Sequence, residues 1–310
     1  MTSVRVVLTV GVAVFVFVIG GLVGGLSIWG GVTSALELTR SSQIQQTAKL
    51  AETVNAFVQK VEQDVLTIAD VLSESAQELE NRAVIHVLKP FAENKEYLND
   101  ITLVRKNRTN VWVGHWQGRV TAELNIELDE EDYRYAIRGR PGDGTEGFDD
   151  VYLETTDKRP VVSYTKHFSD CCGTPVGTLY LDIGLATLSE ALSQDQGKDQ
   201  RSVFVFDSRG VVIAHPSMIG ADAYKVFHRL PRISDLDDPV ASAVLKKIQT
   251  EGVNFYDIQV QDETWLVSVA RMQAIDEKAW YAVSAVPRRA VLGPMIDRAW
   301  MVGIIGLLIL

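Results

Sequence analysis

The sequence predicts an α+β fold in which a long N-terminal helix carries two tandem lobes built on antiparallel sheets, with transmembrane helices flanking them. Three observations predict this fold: an uncharged run near each end of the chain, a helical hydrophobic stripe after the first run, and a set of short β-rich segments that occurs twice. With 310 residues, the chain is long enough for one or two domains with buried cores.

The first uncharged run predicts a transmembrane helix over residues 6–30, with residues 1–5 as a cytoplasmic tail. The run Val6–Trp29 contains 24 residues, which gives a helix of about 36 Å, enough to cross a bilayer. A secretory signal peptide has a shorter apolar region of about 7–15 residues, and no A-x-A cleavage site follows cleanly here. We therefore interpret the run as an uncleaved membrane helix.

The second uncharged run, Ala299–Leu310, predicts the start of another transmembrane helix, which we place at residues 295–310. Its 12 residues are too few to span a bilayer, which takes about 20, so we expect the protein to continue beyond it. The alternative is a short apolar tail that docks on the domain.

Two membrane helices that flank one large domain are the plan of a membrane-anchored sensor. We therefore expect a location in the cell inner membrane, with the domain in the periplasm or outside the cell. The Lys and Arg residues near the two runs give almost no orientation signal of their own.

A hydrophobic stripe predicts a long stalk helix over residues 31–82. Apolar residues recur there in steps of three and four, which is the spacing of one helix face. A helix from about Thr33 to Leu79 is about 70 Å long, more than one small domain needs. We expect its membrane-proximal part to pair with a second copy in a homodimer; a helix lying only on its own domain is the alternative. The stripe consists of Leu50, Val54, Phe57, Val61, Val65, Ile68 and Leu72.

The charge of the chain argues against a nucleic-acid partner. The formal net charge is −10, from 30 Lys and Arg against 40 Asp and Glu. Phosphate contacts need clustered Lys and Arg, and no basic stripe is visible in the sequence.

Short runs rich in Val, Tyr, Phe, Trp and Ile predict two lobes of antiparallel strands, over residues 83–198 and 199–294. The turn Asp207–Gly210 between two apolar runs is typical of a hairpin. The predicted strands lie in NDITLVRKN, TNVWVGHW, KRPVVSYTKHF, GTPVGTLYLDIGL, RSVFVFDSRGVVIAHP, GVNFYDIQV, ETWLVSVARM and KAWYAVSAVP.

The two lobes contain a similar pair of strands. RPVVSYTKHF followed by VGTLYLDIGLATL is matched by ETWLVSVARM followed by KAWYAVSAVPRRAVL. The match sets Ser163 against Ser268 and Asp182 against Ser284. This indicates an internal repeat, in which the second lobe has a serine where the first has an acid.

This order of elements resembles the double Cache (dCache) sensor domain of bacterial membrane receptors, in which two PAS-like lobes stand in tandem. The resemblance is carried by PVVSYTKHFSDCCGTPVGTLYLDIGLATLSEAL in the first lobe, and by VFVFDSRGVVIAHP with WYAVSAVP in the second. It implies that a small molecule binds in the membrane-distal lobe and that the signal passes through the second membrane helix. The segment LPRISDLDDPVASAVL resembles modules attached to adenylate or guanylate cyclases.

Asp182 is the leading candidate for a ligand contact. Strand alternation places it on one face with Tyr180 and Thr178, while leucine and isoleucine side chains occupy the other face. A carboxylate, a phenol and a hydroxyl on one face suit a polar cationic group, held by charge-assisted hydrogen bonds. The alternative is a carboxylate that faces solvent or pairs with a nearby Arg.

The resemblance implies further ligand contacts upstream of Asp182. In relatives that bind amino acids or amines, an aspartate at this position contacts the amino group, and an Arg-x-Trp-Tyr segment takes the carboxylate. This chain has DYRYAIRGRP there, without the Trp-Tyr pair, which puts α-amino-acid binding in doubt. Tyr133 and Arg138 are the candidate substitutes, alongside Arg134 and Tyr135; FDDVYLE adds Tyr152 and Glu154. For the tyrosines, plain aromatic packing is the alternative.

The sequence indicates no catalytic site, metal site or cofactor in this chain. The five histidines are dispersed, and a zinc site needs three or four converging ligands. GDGTEG formally matches G-x-G-x-x-G, but it neither follows a predicted strand nor opens a helix, so we interpret it as a loop. Cys171 and Cys172 are adjacent, and either two thiols or a vicinal disulfide fits this spacing.

We therefore predict the ligand-sensing part of a transmembrane receptor, which binds an amine, an amino acid or another small metabolite. The signal would pass to a cytoplasmic output domain such as an adenylate or guanylate cyclase. The competing interpretation is a protein-interaction ectodomain of a histidine kinase, chemoreceptor or diguanylate cyclase without a small-molecule ligand. An extracytoplasmic enzyme is a third class, which the missing catalytic constellation disfavours.

Overall fold

A computed structural model describes most of the chain. The described residues are 4–74, 81–95, 97–105, 107–116, 119–127, 146–149, 151–153, 159–169, 172–173, 175–193, 200–218, 229–253, 255–272, 279–294, 296–297 and 301.

Helix α1, Val4–Glu74, runs as one continuous helix from the first uncharged run into the predicted stalk, and residues 81 and 82 of that prediction belong to the next helix instead. Its 71 residues make it about 107 Å long. The predicted stripe faces a core: Val61, Val65, Ile68 and Leu72 are fully buried. Nearer the N-terminus, large side chains such as Phe15 and Leu22 are exposed. Among the described residues, this is the one helix that is long and apolar enough to cross a membrane.

The distal lobe is a seven-stranded antiparallel sheet with the order β3-β2-β1-β7-β6-β4, and β5 also pairs with β6. Helix α2, Asn81–Asn94, precedes it and packs on β2 and β3. The strands are β1 Leu98–Arg105, β2 Thr109–Trp116, β3 Arg119–Glu127, β4 Gly147–Phe148, β5 Tyr152–Leu153, β6 Pro160–Ser169 and β7 Pro175–Gly184. The predicted strand segments of this lobe are confirmed; β3 is an addition, although its alternating Val, Ala, Leu and Ile fit a strand.

The proximal lobe is a five-stranded sheet with the order β10-β11-β12-β8-β9. Its strands are β8 Ser202–Asp207, β9 Val212–Ala214, β10 Phe255–Val260, β11 Glu263–Met272 and β12 Trp280–Pro287, and helix α4, Pro239–Glu251, lies between β9 and β10. The predicted hairpin turn joins β8 to β9. Asp207 accepts hydrogen bonds from the backbone N–H groups of Arg209 and Val211, and Gly210 adopts a φ of 79° that favours glycine.

Two helices connect the lobes to each other and to the end of the chain. Helix α3, Leu185–Ser193, follows β7 directly and packs against β9 of the proximal lobe. After β12, residues 288–294 and 296–297 are helical; we call them the exit helix. One continuous hydrophobic core includes α1, the distal sheet, α3 and part of the proximal sheet. The lobes are therefore joined by packing as well as by the chain.

Polar contacts also attach α1 to the distal lobe. Lys95 lies 2.9 Å from one carboxylate oxygen of Asp64 and 3.0 Å from the other, and the Tyr97 hydroxyl donates to the first of these oxygens. On β6, the Tyr164 hydroxyl donates to Glu62 at 3.3 Å. Burial, with a smaller contribution from the Glu62 carboxylate, raises the pKa of Tyr164 to about 12. These contacts therefore join the distal lobe to α1 through side chains on both elements.

Candidate ligand-binding site

Asp182 lies in the middle of the distal sheet, on the face opposite α1. The alternation predicted for β7 is confirmed, because Leu179, Leu181 and Ile183 belong to the core that includes α1. Asp182 is only 5% exposed. The alternative of a carboxylate open to solvent therefore does not describe this residue.

The carboxylate of Asp182 is oriented by two hydroxyl groups. Ser163, its partner in the β6–β7 register, donates to one oxygen, and the Tyr152 hydroxyl donates to the other. The hydroxyls of Tyr152 and Ser163 lie 3.1 Å apart. A carboxylate has about four acceptor positions, so it can hold both donors and a ligand ammonium group at the same time. Tyr152, a predicted site residue, thus meets Asp182 directly.

A second buried carboxylate, Asp100, lies beside Asp182. The two residues are opposite each other in the β1–β7 register, and Asp100 is 3% exposed. The side-chain amide of Asn99 donates to Asp100 at 3.1 Å, and the Thr102 hydroxyl lies 3.4 Å from its other oxygen. The sequence contained no signal for this pair, because β1 and β7 are about 80 residues apart and strand order cannot be read from a single strand.

The indole of Trp112 forms a wall beside Asp100. Gly114 of β2 is the register partner of Asp100, and a Cβ at Gly114 would lie 2.4 Å from the Trp112 ring and 2.6 Å from the Asp100 Cβ. Only glycine fits between them. The site face thus combines carboxylates with an aromatic ring, two groups that attract organic cations. Sequence reasoning missed Trp112 as well as Asp100.

The remaining predicted site residues divide into two groups. Tyr180 is buried on the Asp182 face, where it pairs with Thr102 on β1 and Thr165 on β6. Tyr133, Arg138 and Glu154, with the alternatives Arg134 and Tyr135, lie outside the described residues. Their part in the site stays a prediction.

The proximal lobe differs at the matching place. Ser268 and Ser284 are register partners, as Ser163 and Asp182 are. However, the Ser284 hydroxyl donates to Gln43 of α1 at 2.7 Å, so this pair faces α1. The two matched pairs are therefore both cross-strand partners, but the proximal pair lies on the α1 face of its sheet, whereas the distal pair lies on the opposite face.

Ala285 is the proximal counterpart of Asp182. Each residue stands two positions before the last residue of its strand, on the face away from α1. Ala285 is fully buried and pairs with Val267, and both belong to a hydrophobic core that contains residues of α4. The proximal lobe thus has an apolar core where the distal lobe has its carboxylates.

A Ser-His-Asp group occurs in the proximal lobe, although the sequence did not suggest one. His215 Nε2 lies 3.1 Å from Asp238, and its Nδ1 lies 2.7 Å from the Ser217 hydroxyl. The backbone N–H of Ser217 also donates to Nδ1 at 3.1 Å, so the ring closes a local turn. Asp238 caps α4 by accepting from the Ala241 N–H at 2.9 Å. The arrangement fixes the turn to the start of α4, which is a structural role.

The structure adds little about metal ligands, the two cysteines and the GDGTEG segment. Among the described residues, no group of three or more His, Cys, Asp and Glu side chains could hold a metal ion. Cys172 is exposed, whereas Cys171 lies outside the described residues, as do residues 142–145 of GDGTEG. Whether Cys171 and Cys172 form a disulfide, and whether GDGTEG is a loop, therefore stay predictions.

Comparison with known proteins identifies the family of the fold. The dCache_1 family model, described as Cache domain, matches residues 33–295. No curated protein sequence matches the chain.

Solved sensory domains share this fold. The ligand-binding domain of the Campylobacter jejuni chemoreceptor Tlp3 in complex with L-valine has a TM-score of 0.56 and 18% identity, covering 84% of this chain and 97% of its own. The extracellular domain of the histidine kinase vpHK1S-Z8 has a TM-score of 0.60 and 14% identity, with coverages of 83% and 98%. The ligand-binding domain of the Pseudomonas fluorescens chemoreceptor CtaA in complex with L-isoleucine has a TM-score of 0.51 and 16% identity, with coverages of 84% and 97%.

Proposed function

The chain belongs to the Cache domain family, and from that premise we propose that it is the ligand-sensing part of a membrane-anchored signalling receptor. The ligand is a small molecule with a cationic amine, and it binds on the Asp182 face of the distal lobe. One observation carries this proposal: a carboxylate that is 5% exposed is held in place by two hydroxyl donors on a polar sheet face.

The chemistry of this face favours an ammonium group. Charge-assisted hydrogen bonds to a carboxylate are about twice as strong as neutral ones. The Trp112 indole adds an aromatic surface near the carboxylates, where a cation gains further attraction. Tlp3 and CtaA bind L-valine and L-isoleucine, which carry such a group. Because the Arg-x-Trp-Tyr segment is missing here, amines stand beside amino acids as candidate ligands.

The signal path follows the elements next to the site. A ligand that draws β6 and β7 together acts on α1 through the Tyr164–Glu62 contact and on α3 through its direct connection to β7. Helix α3 packs on the proximal lobe, whose strand β12 leads into the exit helix. A ligand shifts this arrangement only through a difference in affinity for the two states.

The remaining parts of the proposal concern the membrane and the output. Residues 6–30 anchor the chain in the inner membrane, the lobes lie outside the cytoplasm, and α1 pairs with a second copy. The output is a cytoplasmic signalling domain, and the segment LPRISDLDDPVASAVL favours a nucleotide cyclase among the outputs that occur with such sensors.

A thermal-shift screen of the full chain against amines, amino acids and organic acids tests the proposal. We expect at least one amine or amino acid to raise the melting temperature and Asp182→Asn to abolish the shift. Asp257→Asn, which changes an exposed aspartate of the proximal lobe, is the matched control and should respond like the wild type. If no ligand class raises the melting temperature, the protein-interaction ectodomain replaces this proposal.

A further inference from the structure

A groove in the proximal lobe lies where the chain leaves the lobe, far from Asp182. It encloses about 560 Å³ between the β10–β11 turn, the start of α4 and the exit helix. Ligand sites in proteins typically measure about 300–1,000 Å³. The volume is therefore sufficient for the headgroup and part of one chain of an amphiphile.

The groove has an apolar part of its lining that includes residues of the exit helix. Leu292 and Ile296 of this helix line the groove together with Val240, Val260 and Trp265. Ile296 is three residues before Ala299, where the uncharged run starts. The groove is thus close in sequence to the point at which the chain is predicted to enter the bilayer.

The groove also carries charges of both signs. Arg288 and Arg289 begin the exit helix, Asp262 lies in the β10–β11 turn, and Glu263 is the first residue of β11. The Arg289 Nε lies 3.8 Å from the Glu263 Oε1, which is too long for a hydrogen bond. This oxygen is buried and accepts no hydrogen bond from the described part of the chain. Two guanidinium groups and a carboxylate therefore lie together in the groove, where a ligand with both a phosphate and an ammonium group can replace the long Arg289–Glu263 ion pair.

We propose that this groove binds one phospholipid of the ethanolamine type from the adjoining bilayer leaflet. The phosphate lies between Arg288 and Arg289, the ammonium group donates to Glu263, and an acyl chain follows Leu292 and Ile296 towards the membrane. The inference rests on the membrane anchor of the proposed function, but not on the Asp182 site. Arginine and tryptophan are also the residues that anchor proteins at membrane interfaces.

Lipid titration of the purified full chain in detergent, followed by native mass spectrometry, tests the site. We expect the wild type to retain one dioleoylphosphatidylethanolamine. The double variant Arg288→Gln/Arg289→Gln should need roughly tenfold more lipid or more, because each basic group near a lipid headgroup contributes to binding. The control Arg232→Gln/Arg271→Gln removes the same charge from two exposed positions outside the groove and should behave like the wild type.

The headgroup is tested by exchanging the lipid. We expect the wild type to prefer phosphatidylethanolamine to phosphatidylglycerol, which has no ammonium group, and we expect Glu263→Gln to lose this preference. Equal retention of the two lipids by the wild type, or unchanged retention of phosphatidylethanolamine by the double arginine variant, overturns the proposal. Unchanged melting temperatures show that the variants are folded.

Two other measurements distinguish failure of the lipid proposal from failure of the proposed function. Release of the chain from membranes by alkaline carbonate contradicts the anchor, and with it the bilayer as the source of the lipid. If the wild type responds to an amine and Asp182→Asn does not, the proposed sensor function is supported. If the same wild type shows no selective lipid retention, only the lipid site is rejected.

Discussion

The two lobes share a sheet architecture and the same position beside α1, yet the faces turned away from α1 are built differently. The distal lobe buries Asp100, Asp182 and Ser163 there, whereas the proximal lobe buries Val267, Ala285 and other apolar residues against α4. Buried carboxylates cost stability unless they are hydrogen-bonded. The distal lobe thus has a polar site on this face in place of an apolar core. The proximal lobe has a closed apolar core there.

Moving a carboxylate from one lobe to the other has the largest expected effect. We expect Ala285→Asp to lower the free energy of unfolding by about 3 kcal/mol or more, because a charge enters a closed apolar core. Asp182→Asn should change it by about 1 kcal/mol or less, since the Asn oxygen can accept from one of the two hydroxyls and the Asn amide N–H can donate to the other. Chemical denaturation followed by tryptophan fluorescence compares the two. Equal losses would contradict the difference between the lobes.

Gly114→Ala probes the packing of the distal site. The added Cβ overlaps the Trp112 ring and the Asp100 Cβ, so we expect a loss of about 1–3 kcal/mol in the free energy of unfolding. The displaced indole should also weaken ligand binding. Gly293→Ala, where a Cβ meets nothing within 4 Å, is the control in the proximal lobe and should leave the ligand response unchanged. A Gly114→Ala chain with wild-type affinity would remove Trp112 from the site.

The contact between the proximal lobe and α1 should show coupling. Ser284→Ala leaves the buried Gln43 without its hydroxyl donor, which costs about 1–3 kcal/mol. Replacing both partners, as Gln43→Leu/Ser284→Ala, should cost less than the sum of the single changes, because neither polar group is then left unpaired. A double-mutant cycle measures this coupling. Strict additivity would show that the hydrogen bond contributes nothing.

Acid should weaken the proximal lobe through Asp238. Burial acts to raise the pKa of this carboxyl, but hydrogen bonds from His215 and from the Ala241 and Val240 N–H groups outweigh it and hold the pKa below its usual value. A depressed pKa in the folded state gives stability that is present above about pH 4, the ordinary carboxyl pKa, and is lost as pH falls through the folded value. At neutral pH, Asp238→Asn should cost about 1 kcal/mol, because Asn caps the helix but loses the negative charge that favours the helix N-terminus and strengthens the bond from His215.

The pH profile supplies the check on this smallest effect. The stability difference between the wild type and Asp238→Asn should shrink as the pH is lowered from 7 towards 2. A difference that stays constant over this range would mean that the carboxylate charge plays no part.

Much of the fold could be predicted from the sequence because its signals are local. The stripe on α1, the alternation of β7 and the turn at Asp207 each follow from the spacing of side chains within one element. The partners of Asp182 could be predicted only in part. Ser163 and Tyr152 lie in neighbouring segments, but Asp100 and Trp112 reach the site through the pairing of strands far apart in the chain.

The sheet face on which Ser268 and Ser284 lie in the proximal lobe could not be predicted from the sequence either. The repeat set Asp182 against Ser284, yet the residue in the place of Asp182 is Ala285, one position further along the strand, and Ser284 faces α1. Side chains alternate between faces, so a one-residue difference in alignment reverses the inferred environment. The hydrogen bond from Ser284 to Gln43 is the observation that places the pair on the α1 face.

Isothermal titration of the full chain tests the central claim most directly, using the amine that gives the largest thermal shift and its N-acetyl derivative. We expect the wild type to bind the amine and not the acetylated form. Hydrogen bonds to charged groups contribute about 1.5–3 kcal/mol, so Asp182→Asn should weaken binding of the amine by roughly tenfold to a hundredfold. Equal affinity of the wild type and Asp182→Asn, or equal binding of the acetylated form, would contradict a cation site at Asp182.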